Sequence, residues 1–244
     1  MKTLISVDFD YFCPEDPDWD LGHQENGLHL SMIWKTRGFL ESKMRCDGRQ
    51  VGFWDRIGVA GFPKVYVSES HLSAYHVALE TKADHIVMFD AHHDCWPVGA
   101  GACYPQCHNW LKLWLRGSRR RTARWCRPDH SAFGMPRAAR LDLSGSQEVR
   151  VDRNDVVGIH VCRSGCWVPP WLDKEFIGFV ESLGSGKIEN NNLSFVWDAM
   201  QERWNESDFQ DMRATYLAER EFNKKLSEMP ESMRSRMIKI EVSR

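Results

Sequence analysis

No stretch of the chain approaches the roughly 20 consecutive apolar residues that a membrane-spanning helix requires. The opening segment Met1-Lys-Thr-Leu-Ile-Ser-Val-Asp8 lacks the apolar core and the small-residue cleavage site of an export signal. A cytoplasmic protein with no membrane partner is the expectation. A strong charge of either sign is also missing: the formal net charge is -2, so no overall field points to nucleic acid or an acidic membrane. Tight Cys-x-x-Cys pairs are absent among the 8 cysteines. The looser Cys103-x-x-x-Cys107 and Cys162-x-x-x-Cys166 are read as ordinary thiols, because zinc ribbons use closer spacing and disulfides belong to exported chains. No internal repeat is found.

What the chain does have is apolar content: 42% hydrophobic against 27% charged residues over 244 positions, enough for a sizeable core and against global disorder. One catalytic domain over residues 1–228 with a tail over 229–244 is expected. Leu4 to Asp10 reads as a strand ending in carboxylates, and Pro14, Pro17 and the acidic run Glu15 to Asp20 then force a loop. Further strands are expected at Lys64 to Ser68, His85 to Asp90, Thr122 to Cys126 and Asp155 to Val161. Helices are expected over Leu28 to Lys43, His71 to Thr81, Asn109 to Leu115, Asp173 to Leu183 and Leu193 to Trp204. Ser207-Asp-Phe-Gln210 has capping-box spacing and opens a last helix to about Leu226. Alternating strands and helices predict a three-layer α/β/α domain with a largely parallel sheet, whose ligand site lies at the carboxyl ends of the strands.

The chemistry concentrates at those ends. Asp90, His92 and Asp94 follow the apolar run Ile86-Val-Met-Phe89 at alternate positions, and in an extended strand such positions share a face. Two carboxylates and an imidazole converging there call for a cation, and the mixed donors suit manganese, zinc or iron better than calcium. Asp8 and Asp10 repeat the spacing at the first strand, and His71 follows the second. Asp-x-Asp by itself is common in solvated turns, and a lone histidine is more often a structural hydrogen bonder. Three strand ends offering ligand-type residues say more than any one of them.

Asp90-Ala-His-His-Asp94 resembles the Asp-Ala-His-x-Asp motif of the arginase, agmatinase and histone deacetylase superfamily. Ser70-His71-Leu72 is similar to that superfamily's first-histidine motif, and Asp8-Phe-Asp10 with Pro14 and Asp16-Pro17 to its Asp-x-Asp strand. Asn109-Trp110-Leu111 resembles a segment of uncharacterised arginase-like proteins. The likeness covers about Lys64 to Leu115 and the first strand. It implies two divalent ions, manganese foremost and a single zinc as the alternative. Asp8 and Asp90 would bridge, His71 and Asp94 would complete one site, and Asp10 and His92 the other. Asp90 would share in catalysis and His108 would shuttle a proton to the leaving amine. Arginases place Asp-x-Asp after the Asp-Ala-His motif, whereas here it comes first, so the resemblance implies a permuted strand order. No guanidinium-recognition motif is found.

His93 points to the opposite face if the strand persists; with Asn109, Arg163 and Ser164 it makes up the candidate substrate-contacting set. Arg163 and Ser164, in His160-Val-Cys-Arg-Ser-Gly-Cys-Trp167, equally suit a plain turn. The basic segment Arg116 to Arg127, with Trp125 interleaved, offers phosphate or nucleic-acid contact against the commoner reading of a solvated loop. The leading function is hydrolysis of an amide, guanidine or amidine C–N bond in a small molecule or modified residue, with homo-oligomerisation open. One alternative is a haloacid-dehalogenase-type phosphatase using Asp8 and Asp10, which leaves Asp90 to Asp94 without a role and has Phe12 where a small hydroxyl residue is wanted. Another is a non-catalytic, metal-stabilised binding protein.

Overall fold

The computed structural model describes residues 1–14, 45–96, 104–131, 133–134, 136, 138, 140–144, 149–165, 167–169 and 172–190. The expected helices over Leu28 to Lys43, Leu193 to Trp204 and Ser207 to Leu226, the tail, and Cys103 and Cys166 lie outside these residues.

Seven strands form one sheet in which every pairing is parallel. They are β1 Thr3–Asp8, β2 Lys64–Ser68, β3 His85–Phe89, β4 Thr122–Cys126, β5 Leu141–Ser144, β6 Val156–Cys162 and β7 Lys187–Asn190. Their order across the sheet is β5-β4-β3-β1-β6-β2-β7. The central strands β1 and β3 read as apolar runs because both of their faces are covered, as parallel sheets require. Four α-helices are described: α1 Phe53–Ile57, α2 Ser73–Glu80, α3 Trp110–Arg116 and α4 Asp173–Ser182.

The core divides into two clusters, one on each face. Ile5, Val7, Val87, Phe89, Ile159 and Val161 pack with Trp54 of α1 and Phe176 and Phe179 of α4. Leu4, Ile86 and Met88 pack with Val77 of α2 and Trp110 and Trp114 of α3. Trp54 stacks on Phe179 at 4.6 Å, and its Nε1–H donates to the Phe179 carbonyl at 2.9 Å. Truncating such a fully buried aromatic side chain costs about 3–5 kcal/mol. Connections running toward β5 carry α2 and α3 on one face, and those running toward β7 carry α1 and α4 on the other. Right-handed crossovers demand this segregation.

The chain reverses direction at β1. It leaves β1 for β2 on one side, then returns past β6 and β1 to β3. Loops after β1, β2 and β3 therefore converge at a topological switch point, where α/β sheets open their crevice. Among the described residues no helix is long and apolar enough to cross a membrane. The short strands β5 and β7 and the helix α1 were not expected from the sequence. The expected strand to Asp10 stops at Asp8, and the expected strand to Asp90 stops at Phe89.

Candidate metal centre

Asp8 closes β1, and its carboxylate accepts the Asp10 N–H at 3.3 Å, opening a 3-10 turn over Phe9–Phe12. That turn, rather than strand alternation, carries Asp10 into the cleft. The same correction applies to Asp90, His92 and Asp94. Beyond Phe89 the chain leaves the sheet, the Asp90 carboxylate accepts the His92 N–H at 2.6 Å, and Asp94 adopts a left-handed backbone (φ 47°). Asp is one of the few residues that tolerates this conformation, and such outliers gather where a loop must aim side chains.

Neighbouring elements hold the loop from outside. Trp125 Nε1–H donates to the Asp90 carbonyl at 2.9 Å, and the Ser131 hydroxyl donates to the Ala91 carbonyl at 2.5 Å. The Ala91 N–H reaches Asp10 Oδ1 at 3.3 Å. Trp110, at the start of α3, donates its Nε1–H to Asp94 Oδ2 at 2.5 Å and lays its ring edge-on to His71 at 5.0 Å.

These loops bring the six acidic and imidazole candidates together below the surface. His71 Nδ1 lies 2.8 Å from Asp90 Oδ2, 2.9 Å from Asp94 Oδ2 and 3.4 Å from Asp8 Oδ2. His92 Nδ1 lies 2.9 Å from Asp10 Oδ2 and 3.6 Å from Asp90 Oδ1. Asp8, His71 and Asp90 form one group able to hold a cation, and Asp10, Asp90 and His92 a second, each with ligand atoms within 4.8 Å of one another. Asp90 belongs to both. His71 Nδ1 and Asp90 Oδ2 are buried, and neither is in hydrogen-bonding alignment with any group among the described residues. Buried polar atoms left this way are costly, and a shared cation would satisfy them. Carboxylate oxygen and imidazole nitrogen are the donors that first-row divalent metals take.

The electrostatics show the strain of four carboxylates sharing one buried space. Burial, then Asp10 and Asp90, raise Asp8 well above the usual carboxylate range. Burial, then Asp94 and Asp10, push Asp90 up to about 6. Burial works against the imidazolium of His71, but Asp90 and Asp94 outweigh it and hold the ring well above its ordinary value. His92 is raised in the same way against burial, by Asp10 and then Asp90. Asp10, though buried, is held below the usual range by His92. The two imidazoles are thus the positive partners of these carboxylates.

The other sequence candidates are placed differently. Arg163 is 1% exposed and lies between two carboxylates: Nε donates to Asp173 Oδ1 at 2.7 Å and Nη1 to Glu69 Oε1 at 3.0 Å. The expectation that it orients substrate gives way to an internal ion cluster at the β6 end. Ser164 is buried with φ 58°, and its carbonyl accepts from Trp167 and Val168, so it is a turn residue. A Cβ on Gly165 would come within 1.9 Å of Glu69 Oε1, so a larger residue there would displace that carboxylate. Asn109 is buried, and its Oδ1 accepts the Gln106 N–H at 2.9 Å, which closes the turn ahead of α3. His93 is buried behind the loop, accepts the Cys95 N–H on Nδ1 at 3.0 Å and lies against Trp96, Trp125 and Phe133. The carbonyl of His108 accepts the Trp96 N–H at 3.0 Å, tying the loop after Asp94 to the approach of α3. Trp125 is fully buried, which removes it from the basic segment's outer surface.

Sequence reasoning missed Trp110 as a partner of Asp94, although Asn109-Trp110-Leu111 was noticed. It also missed Ser6 and His160, polar residues inside otherwise apolar stretches, and Ser68 at the end of β2. The signal available for Ser6 and His160 was that polarity, between apolar neighbours on both sides. No family model, curated protein or solved structure matches the chain.

Proposed function

We propose that this protein is a metal-dependent hydrolase of a C–N bond in an amide, guanidine or amidine, related to the arginase and deacetylase superfamily by a permuted strand order. The observation that carries this reading is the pair of overlapping Asp/His groups that share Asp90 at the switch point of a parallel sheet. Two divalent cations held there, manganese foremost, would supply Lewis acidity and bring the pKa of water from about 15.7 toward neutrality. Asp90 is the shared carboxylate; Asp8, Asp94 and His71 complete one side, and Asp10 and His92 the other. Trp110 fixes the orientation of Asp94, and the rings of Trp167 and Phe133 flank His92 at 4.4 and 4.9 Å. His108 is assigned the proton that the leaving amine requires. The phosphatase alternative is disfavoured because it gives no role to Asp90 and His92, which share the buried space with Asp8 and Asp10.

The test is metal analysis of the purified chain followed by substrate screening. Two bound ions per chain are expected, with Asp90→Ala and His92→Ala losing metal while their far-ultraviolet circular dichroism is unchanged. Full metal retention in both variants would sink the proposal. Unchanged stoichiometry in Asp8→Asn would remove β1 from the centre. A metal-loaded protein that releases no amine or urea from N-acyl amines, guanidines or amidines would be a metal-stabilised binding protein instead.

A further inference from the structure

His160 lies wholly buried in the middle of β6, where the proposed chemistry gives it no task. It is the register partner of Ser6 on β1, and its ring runs parallel to that of His71 at 5.8 Å, with an interplanar angle of 8°. Its Nδ1 is 3.1 Å from the Ser6 hydroxyl, and its Nε2 is 2.7 Å from the Ser68 hydroxyl at the end of β2. The Ser6 hydroxyl is also 2.8 Å from His71 Nε2. Four side chains thus form one continuous buried chain of hydrogen bonds, from the metal-facing imidazole across β1 and β6 to β2.

The direction of that chain follows from its far end. The Ser68 hydroxyl donates to the Ser70 carbonyl at 2.8 Å, and a carbonyl can only accept. With its one proton used, Ser68 must accept from His160, which places the His160 proton on Nε2. A neutral imidazole so protonated has its lone pair on Nδ1 and takes the Ser6 proton. Ser6 in turn accepts from His71 and fixes a proton on His71 Nε2. The remaining nitrogen, His71 Nδ1, is the one 2.8 and 2.9 Å from Asp90 and Asp94. Each hydroxyl proton is used once, and only one tautomer of each ring satisfies the whole set.

We infer that Ser6, His160 and Ser68 are positioning residues. They lock His71 with its proton on Nε2 and so present Nδ1 to a metal ion held with Asp8, Asp90 and Asp94. Partners on the far nitrogen of a ligating histidine set its tautomer and ring angle, and losing one typically costs ten- to a hundredfold in metal affinity. The polar chain also explains why Ser6 and His160 occupy strand interiors whose neighbours are apolar. Ser70, whose carbonyl ends the chain, immediately precedes His71, so the chain closes back on the loop that carries the ligand.

This inference rests on the metal-centre reading, and two measurements separate their failures. The first is calorimetric titration of Mn2+ into metal-free wild type, Ser6→Ala, Ser68→Ala and Ser6→Thr. Ser6→Ala is expected to bind ten- to a hundredfold more weakly and Ser68→Ala to lose less, while Ser6→Thr, which keeps the hydroxyl, recovers most of the affinity. A Ser6→Ala protein that binds Mn2+ as wild type does would overturn the positioning role. The second is long-range proton–nitrogen NMR on histidine-labelled, metal-free wild type, which needs no metal and no variant. His160 is expected as the neutral tautomer protonated on Nε2; a proton on Nδ1 would overturn the relay. Wild type that takes up no Mn2+ and no Zn2+ would overturn the metal centre itself, whatever the tautomer.

Discussion

Two buried charge clusters occupy neighbouring strand ends of the same sheet, and they are balanced in opposite ways. At the ends of β6 and β2, Arg163 lies between Glu69 and Asp173, so the chain provides its own cation. At the ends of β1 and β3, Asp8, Asp10, Asp90 and Asp94 are buried, and among the described residues the ion-pairing partners they meet are the imidazoles of His71 and His92. The guanidinium carries a permanent charge and a rigid fork matched to carboxylates. An imidazole is a weaker and conditional counter-ion. The first cluster carries its own permanent cation, whereas the second relies on imidazoles whose charge is lost as pH rises.

The largest way to break this comparison is to remove the internal cation. Arg163→Ala should destabilise the protein by about 3–5 kcal/mol, because it leaves buried carboxylates without their partner. Urea unfolding reads this directly, and an unchanged midpoint would mean that the cluster is not structurally important. Removing charge from the other cluster should have the opposite sign. Asp90 is raised from 3.8 to about 6, so its ionised form costs the metal-free fold about 3 kcal/mol at neutral pH. Metal-free Asp90→Asn should therefore be more stable than metal-free wild type by up to about that amount, while binding metal poorly. A loss of stability would show that the carboxylates are not in conflict.

The smaller prediction concerns pH. His71 and His92 are both held above their ordinary value in the metal-free fold, so they keep protons that the unfolded chain releases near pH 6.5. Their stabilisation is complete below that pH and is lost as pH rises. The buried His93 and His160 and the partly buried His85 and His130 are lowered; above pH 6.5 they are neutral in both states and add no slope. Between pH 6.5 and 8 the metal-free protein should lose about 1.4 kcal/mol per pH unit for each retained proton. Metal displaces those protons, so saturating Mn2+ should flatten the slope. Melting temperatures with chelator and with Mn2+ across that range measure both. A metal-free protein that gains stability toward pH 8 would contradict the electrostatic picture of the second cluster.

The sequence by itself determined a good deal. Apolar runs at Leu4, Lys64 and His85, separated by helical stretches, specified a parallel α/β sheet, because only strands covered on both faces read that way. The donor types of Asp8, Asp10, His71, Asp90, His92 and Asp94 were equally legible, since three strand ends offering carboxylates and imidazoles say more than any one of them. The short edge strands β5 and β7 were not legible, because their four residues each are extended only by pairing with a neighbour. Nor was the task of Arg163, whose partners Glu69 and Asp173 come from elsewhere in the chain. Tertiary structure alone decided how the ligands converge. A 3-10 turn and a left-handed Asp94 aim them, and strand alternation does not. It alone also set Ser6 beside His160 and Trp110 beside Asp94. Contacts between strands and helices distant in sequence depend on sheet order and register, which no local pattern of residues encodes.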